Sequence, residues 1–527
     1  MNILGLNAYH GDVSAVLLRD GELVAAVEEE RFRRIKHVSG FPAEAIRACL
    51  AMAQVEGREI DHVAVSRNPR AHLWRKAAFA LTHRPGSGLV RDRATNYQKV
   101  RMLPQTVGEA LGIAPEARQP TFHWVEHHPA HLASAFFVSP FEEAAVCAID
   151  GFGDFVSTSW AVGRGSRLDV IHRTYFPHSL GLLYLAITQY LGFMKYGDEF
   201  KVMGLAPYGQ PEFVGEMQKL VRLRPGGTFE LDLAYFTHWS GGARMTWEDG
   251  EPTIDRVFGE RLLRELGPAR QPDEPVTARH EAIAASLQAV FEGAVFHILN
   301  GLYQRTKLSR LCLAGGCAMN SVANGKIRDQ TPFTEVYIQP ASGDNGTALG
   351  AAYHVWNQTL RQPRRFVMTH GYWGPEFVNG EIDAALDARA GDLQAAGCVV
   401  RVMPDETSLV DWTAARIADG QIVGWFQGRM EWGARALGNR SILADPRRAD
   451  MREIINTKIK FREKFRPFAP TVLEEVHAQY FDGSVADPFM MQVYPVRAEK
   501  REVIPAVTHV DGSGRLQTVN RKANPRY

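Results

Sequence analysis

Asn2-Ile3-Leu4-Gly5-Leu6-Asn7-Ala8-Tyr9-His10-Gly11-Asp12-Val13-Ser14-Ala15-Val16-Leu17-Leu18-Arg19-Asp20-Gly21-Glu22-Leu23-Val24-Ala25-Ala26-Val27 is the stretch from which the fold is read. Residues 3–7 and 14–18 are apolar runs of strand length, and Asp20-Gly21 is a hairpin pair leading into a third run at 23–27. An antiparallel meander is predicted, with the polar turn His10-Gly11-Asp12 after its first strand. A related pattern returns at 144–150, 157–162 and 168–171, with turns at 151–154 and 163–166. This predicts a duplicated domain in which each half begins with a meander, and in which Asp12 and Asp154 occupy corresponding first turns.

Helical segments separate the meanders. Residues 42–55 carry helix-spaced apolar positions, and 281–303 carry them more regularly, with Ile283, Leu287, Val290, Phe291, Ala294, Ile298 and Leu302 on one face. A strand over 311–314 leads into Gly315-Gly316, and another over 336–338 precedes a glycine turn at 343–346. Alternating strands and helices with glycines at strand ends predict an α/β domain whose ligand sits at those ends. Around 361–369 the chain becomes basic and proline-containing, so the expected division is 1–360 and 361–527. The second part restarts with a helix over 408–418 and a strand over 422–426.

Lys and Arg total 60 against 59 Asp and Glu, leaving a formal charge of +1. No global field of that size holds a protein on nucleic acid or an anionic membrane. The first residues lack the basic region and long apolar core of a signal peptide, and no stretch is read as the ~20 apolar residues of a membrane helix. The five cysteines include no Cys-x-x-Cys pair. That pattern predicts a reducing compartment, the cytoplasm, with neither a disulfide frame nor a cysteine zinc site.

Glu126-His127-His128-Pro129-Ala130-His131 is the sharpest local signal. Pro129 suits the first turn of a helix, and His127 and His131, four residues apart, then share a side. Two imidazoles at that spacing make a divalent-metal pair; the alternative is capping and packing at a helix start. Asp150 and Asp344, each at a strand end beside glycines, are the carboxylates that would complete a site. Two His with two Asp suit iron, manganese or zinc better than calcium or magnesium. Gly315-Gly316-Cys317-Ala318-Met319-Asn320 allows a nucleotide close to the backbone, with Asn320 able to hydrogen-bond it, while Walker and dinucleotide fingerprints are absent. Residues 427–441 and 458–467 form basic blocks whose arginines suit phosphate groups. Trp432, Leu437 and Phe461 are expected to draw those blocks inward.

Together these segments resemble the nodulation-protein U and cephem-hydroxymethyl carbamoyltransferase family, which includes the tobramycin carbamoyltransferase. The matching stretches run in order through nearly the whole chain: 4–12, 28–37, 127–131, 150–154, 199–209, 315–320, 342–347 and 427–470. The resemblance implies an N-terminal duplicated actin/Hsp70-like domain, similar to the threonylcarbamoyltransferases, and a C-terminal α/β domain similar to threonylcarbamoyl-adenylate synthase. It implies an ATP-dependent O-carbamoyltransferase that converts carbamoyl phosphate and ATP, with Mg as part of the co-substrate, into carbamoyl adenylate. The carbamoyl group then passes to a hydroxyl of a small molecule such as an antibiotic, a sugar or another secondary metabolite.

By that resemblance His127, His131, Asp150 and Asp344 would hold a divalent metal (iron, with manganese and zinc as alternatives), and Gly315, Gly316 and Asn320 would face the nucleotide. Arg429, Arg435, Arg440, Lys460, Arg462 and Arg466 would take carbamoyl phosphate and ATP. The acceptor hydroxyl needs a base, for which His10 and Asp12 are the candidates. Many relatives have a His directly before this Asp, whereas here Gly11 intervenes and His10 sits one place earlier. Relatives also continue beyond the 519–522 region, so the second domain is expected to be truncated at its C-terminus. Segments 72–103 and 213–273 are expected to shape an acceptor pocket and the contacts of a homodimer, with no nucleic-acid or membrane partner. Three other readings compete. A hydrogenase-maturation carbamoyl enzyme calls for Cys-x-x-Cys zinc modules and an acylphosphatase-like start, and neither is present. Threonylcarbamoyl transfer to tRNA calls for a basic RNA-binding face that the first domain lacks. A nucleotide-gated binding module with an inactive second domain would hold nucleotide without releasing pyrophosphate.

Overall fold

The computed structural model describes residues 1–83, 99–240, 245–246 and 249–527. The part of the expected acceptor segment at 84–98 lies outside them, as do 241–244 and 247–248. The chain divides into two compact units, Met1–Met368 with Met491–Val493, and Thr369–Met490 with Tyr494–Tyr527.

The first unit is built on two sheets of one design. In the first, β1 (Asn2–Asn7), β2 (Ser14–Arg19) and β3 (Glu22–Glu28) form the antiparallel meander, and β4 (His62–Val65) and β5 (Thr121–Trp124) add in parallel beyond β1. The spatial order is β3-β2-β1-β4-β5. In the second sheet, β6 (Glu143–Gly153), β7 (Val156–Arg164) and β8 (Arg167–Tyr175) repeat the meander. There β9 (Arg310–Ala314) and β10 (Glu335–Ile338) are the parallel additions, so order and directions match the first sheet. Strand β6 runs past the turn expected at 151–154, because a bulge between Ile149 and Gly153 lets pairing with β7 resume at Gly153↔Val156.

Alternation explains the layering. One face of the first sheet, through Leu4, Leu6, Ala15, Leu17, Ala25 and Val27, packs with Ile46 and Cys49 of α1 (Ala43–Ala53) in one apolar cluster. Burial of each Leu or Ile there contributes roughly 1.5–3 kcal/mol. Two helices bury every residue: α2 (His127–Phe136) and, after β10, Gly346–Tyr353. Between them in sequence lie α3 (Leu180–Tyr190), α4 (Glu199–Leu205) and α5 (Ala278–Thr306), so Gly346–Tyr353 is α6. It packs on both α2 and β1.

Helix α5 corrects one expectation. By length and composition it is apolar enough to cross a membrane, but most of it is buried inside the protein. It is a core helix, and its apolar residues are covered by the unit itself.

The second unit carries shorter elements. β11 (Val423–Phe426) pairs antiparallel with β12 (Arg440–Leu443), and a three-stranded sheet has the order β13 (Thr471–Leu473), β15 (Ser513–Val519), β14 (Gln492–Pro495), of which Tyr494 and Pro495 belong to this unit. Its apolar cluster gathers Phe481, Tyr494, Val496, Ile504 and Leu516.

Candidate metal centre

Helix α2 starts at His127, so His127 and His131 stand one turn apart and face the same way. Asp150 comes from the bulged part of β6, and Asp344 from the turn between β10 and α6. The Nε2 atoms of the two histidines are 3.0 Å apart. His127 Nε2 lies 3.3 Å from Asp150 Oδ2 and 3.4 Å from Asp344 Oδ1, and His131 Nε2 lies 3.8 Å and 3.4 Å from the same atoms. All four side chains are buried, and their donor atoms lie within 4.8 Å of one another.

The donor set fits one ion. A metal about 2.0–2.2 Å from each atom would hold neighbouring donors roughly 3.0–3.5 Å apart. In the bare protein the charges compensate one another. Burial pulls the His127 imidazolium down, but Asp344 and Asp150 outweigh it and push its pKa up to about 10. Burial raises the Asp344 carboxyl, yet His10 and His127 hold it well below the usual carboxylate range. A metal held by these four residues would displace a proton from His127.

Backbone positions make the close packing feasible. A β-carbon at Gly153 would overlap the His127 ring, so the second glycine of Asp-Gly-Phe-Gly-Asp is a space requirement. Asp154, with φ 48°, turns back to accept hydrogen bonds at Oδ2 from the His127 amide at 3.0 Å and the Asn68 amide at 2.8 Å. It anchors the first turn of α2, where amides lack helical partners. Its counterpart Asp12, with φ 56°, instead meets His37 Nδ1 at 2.7 Å through Oδ1. His10 Nδ1 faces Asp344 Oδ2, which places the imidazole beside the four-residue cluster.

The glycine motif after β9 has structural duties. Gly315, with φ 91°, approaches the Ile149 carbonyl too closely for a side chain, and the Gly316 amide donates to Asp150 Oδ1 at 2.8 Å. The Asn320 amide pairs in both directions with Gln288, at 3.0 and 3.1 Å, while its Oδ1 also accepts from the Ala323 amide at 3.0 Å.

In the second unit the six basic residues do not act alike. Arg440 donates to the carbonyls of Gln427, Asn439, Pro375 and Gly428 and stacks 3.6 Å over Phe426, and Arg429 donates to the Gly374 and Trp373 carbonyls. Both brace loops. Lys460 closes the turn Ile455–Ile459 through its amide. Arg435, Arg462 and Arg466 instead join a charge group with Arg515 of β15. Burial lowers the pKa of Arg435 to about 10 against the opposing pull of Asp487, and burial lowers that of Arg462 to about 10, with Arg466 and Arg515 depressing it further. Arg515 is lowered well below its ordinary value by burial, then by Arg435 and Arg466, with Asp487 opposing.

The sequence patterns above give no role to Arg515, His37 or Glu199. Arg515 stands alone among small and apolar residues in Gly512-Ser513-Gly514-Arg515-Leu516, so nothing local flags it. His37 and Glu199 fall inside stretches 28–37 and 199–209 that carry the family resemblance, and this was the available signal.

The carbamoyltransferase N-terminus family model matches residues 2–353, and the carbamoyltransferase C-terminus model matches residues 414–527. The chain belongs to the carbamoyltransferase family. It is a transferase, and its chemistry is carbamoyl transfer. Among its relatives, protein sll1178 of Synechocystis is 41% identical over 556 residues, spanning 100% of this carbamoyltransferase and 88% of that protein. Nodulation protein NolNO of Sinorhizobium fredii is 38% identical, with 99% and 71% covered, and nodulation protein U of Rhizobium tropici is 28% identical, with 99% and 86% covered. Among solved structures, HypF of T. kodakarensis aligns with 67% of this chain and 46% of its own at 14% identity and a TM-score of 0.33, a likeness too slight to carry an argument.

Proposed function

We propose that this carbamoyltransferase makes carbamoyl adenylate from carbamoyl phosphate and ATP in its second unit, and uses it to carbamoylate a small-molecule hydroxyl in its first. The observation that carries the reading is the group Arg435, Arg462, Arg466 and Arg515, whose clustered cations outnumber Asp487 and Glu463. Partly buried like charges at close range are stabilised by a bound anion, and guanidinium forks match phosphate oxygens. The doubled five-strand sheet supports assignment of the first unit to the actin/Hsp70 superfamily, and the second is assigned as a domain like threonylcarbamoyl-adenylate synthase.

In the first unit, His127, His131, Asp150 and Asp344 would hold a divalent ion, iron by preference. A bound ion supplies Lewis-acid stabilisation of charge on a phosphoryl or carbonyl oxygen. The protein's own part is to keep the four donors buried, to aim the Gly316 amide at Asp150, and to offer a proton acceptor for the hydroxyl. Asp12 is better placed for that than His10, because His10 is engaged with Asp344.

The test is pyrophosphate release by the metal-loaded protein given ATP and carbamoyl phosphate without acceptor. Release should require carbamoyl phosphate and fall roughly 10- to 100-fold in Arg515→Ala, the loss of one charge-assisted hydrogen bond. Arg440→Ala should instead lower thermal stability. Release that ignores carbamoyl phosphate, or none while nucleotide stays bound, would favour a binding module.

A further inference from the structure

We infer that His37 is a positioning residue for Asp12, and that the two form the carboxylate–imidazole pair that takes the proton from the acceptor hydroxyl. The inference rests on the carbamoyl-transfer reading above and adds His37 to that site.

Four observations place the pair. First, Asp12 sits at φ 56°, a left-handed conformation costly for a residue with a side chain, and Asn7 Nδ2 holds the turn by donating to the Gly11 and Asp12 carbonyls at 2.8 and 3.0 Å. Second, Asp12 Oδ1 is fixed by His37 Nδ1 at 2.7 Å, while Oδ2 lies on the side of Gly343, where a β-carbon would stand 4.0 Å away. Gly343 directly precedes Asp344, so the second carboxylate oxygen looks toward the metal-centre loop. Third, the imidazole is itself held. Its amide donates to Glu30 Oε2 at 2.8 Å, Tyr196 meets the ring edge-on with centroids 5.4 Å apart, and a side chain at Gly197 would overlap Nε2. Fourth, a β-carbon at Gly11 would lie 2.9 Å from the Tyr196 hydroxyl, so the residue that separates His10 from Asp12 must stay small for this packing.

The charged and titratable groups around His37 are Asp12, Glu30, Glu199 and Tyr196. Burial disfavours the imidazolium, but Asp12 and then Glu30 and Glu199 overcome it. An imidazole donating to Oδ1 fixes the orientation of the carboxylate, leaving Oδ2 to accept a proton. In the transfer step the hydroxyl oxygen bonds to the carbamoyl carbon and its proton passes to Asp12. The bond from that carbon to the phosphate oxygen breaks, and AMP leaves with the electron pair.

The experiment uses the full metal-loaded chain with ATP and carbamoyl phosphate, and offers glycerol and hydroxylamine together as probes. Hydroxylamine attacks an acyl adenylate without help from a base, whereas an alcohol needs one, so the ratio of glyceryl carbamate to hydroxyurea reads the pair. The ratio should fall roughly 10- to 100-fold in Asp12→Asn and in His37→Ala. His37→Asn, whose amide N–H can stand where Nδ1–H stands, should recover most of it near neutrality. The wild-type ratio should also decline as pH rises through about 9, and His37→Asn should lack that decline. Equal ratios in wild type and both variants, including no glycerol product from any, would overturn the inference while hydroxyurea continues to form. Absence of both products would instead overturn the carbamoyl-adenylate reading, and the inference with it.

Discussion

Glu199 shows how much of this site is set by burial of single groups. Desolvation is the first cause raising its carboxyl to about 7, with the nearby His37 charge pulling the other way. A folded-state pKa above the unfolded one means the native protein holds that proton more tightly. The favourable contribution is therefore complete below the ordinary glutamate range, and it is lost as pH rises toward about 7. Glu199→Gln should accordingly stabilise the protein by roughly 1–3 kcal/mol above neutrality and by nothing at about pH 4. Urea denaturation at the two pH values measures this, and an equal effect at both would refute it. The sequence allowed His127, His131, Asp150 and Asp344 to be named, since imidazoles one turn apart and aspartates at glycine turns are local patterns, and the structure brings the four together. It did not disclose that Arg440 and Arg429 would turn to main-chain carbonyls while Arg515 joined the cation group. That division depends on partners far along the chain, 65 positions away in the Arg440–Pro375 contact.

Among the elements, α6 and α2 decide whether the four candidate donors meet. Asp344 leads into α6, and His127 and His131 ride on α2. The helices approach so closely at Gly350 that a β-carbon there would overlap the Ala130 carbonyl. Gly350→Ala should cost about 1–3 kcal/mol or more by overpacking and reduce bound metal per chain. Gly293→Ala, on α5 where nothing lies within 4 Å, should instead stabilise by roughly 0.5–1 kcal/mol with metal content unchanged. Melting curves and metal analysis separate the two; matching behaviour would show that the helix contact does not control the site. Element boundaries were legible where punctuation is strong. The helix read over 281–303 extends to Ala278–Thr306 because Thr277 and His280 form a capping box and Lys307 closes the end with φ 59°. The bulge in β6 was not legible, since it arises from pairing with β7.

At the level of the whole molecule, the duplicated sheets follow from apolar runs and turns repeated along the chain. The second unit was harder to read: its strands are three to seven residues long, and the helices Asn379–Asp387 and Ala390–Ala395 bury no residue. Such short, weakly buried elements leave little periodicity in a sequence. With the two halves of the proposed reaction in different units, blocking the second half should expose its intermediate. The most direct measurement is rapid-quench mass spectrometry of Asp344→Asn given ATP and carbamoyl phosphate. Carbamoyl adenylate should accumulate to a stoichiometric level in the variant and remain low in the wild type turning over acceptor. Consumption of carbamoyl phosphate with no adenylate at any time point in either protein would contradict the account.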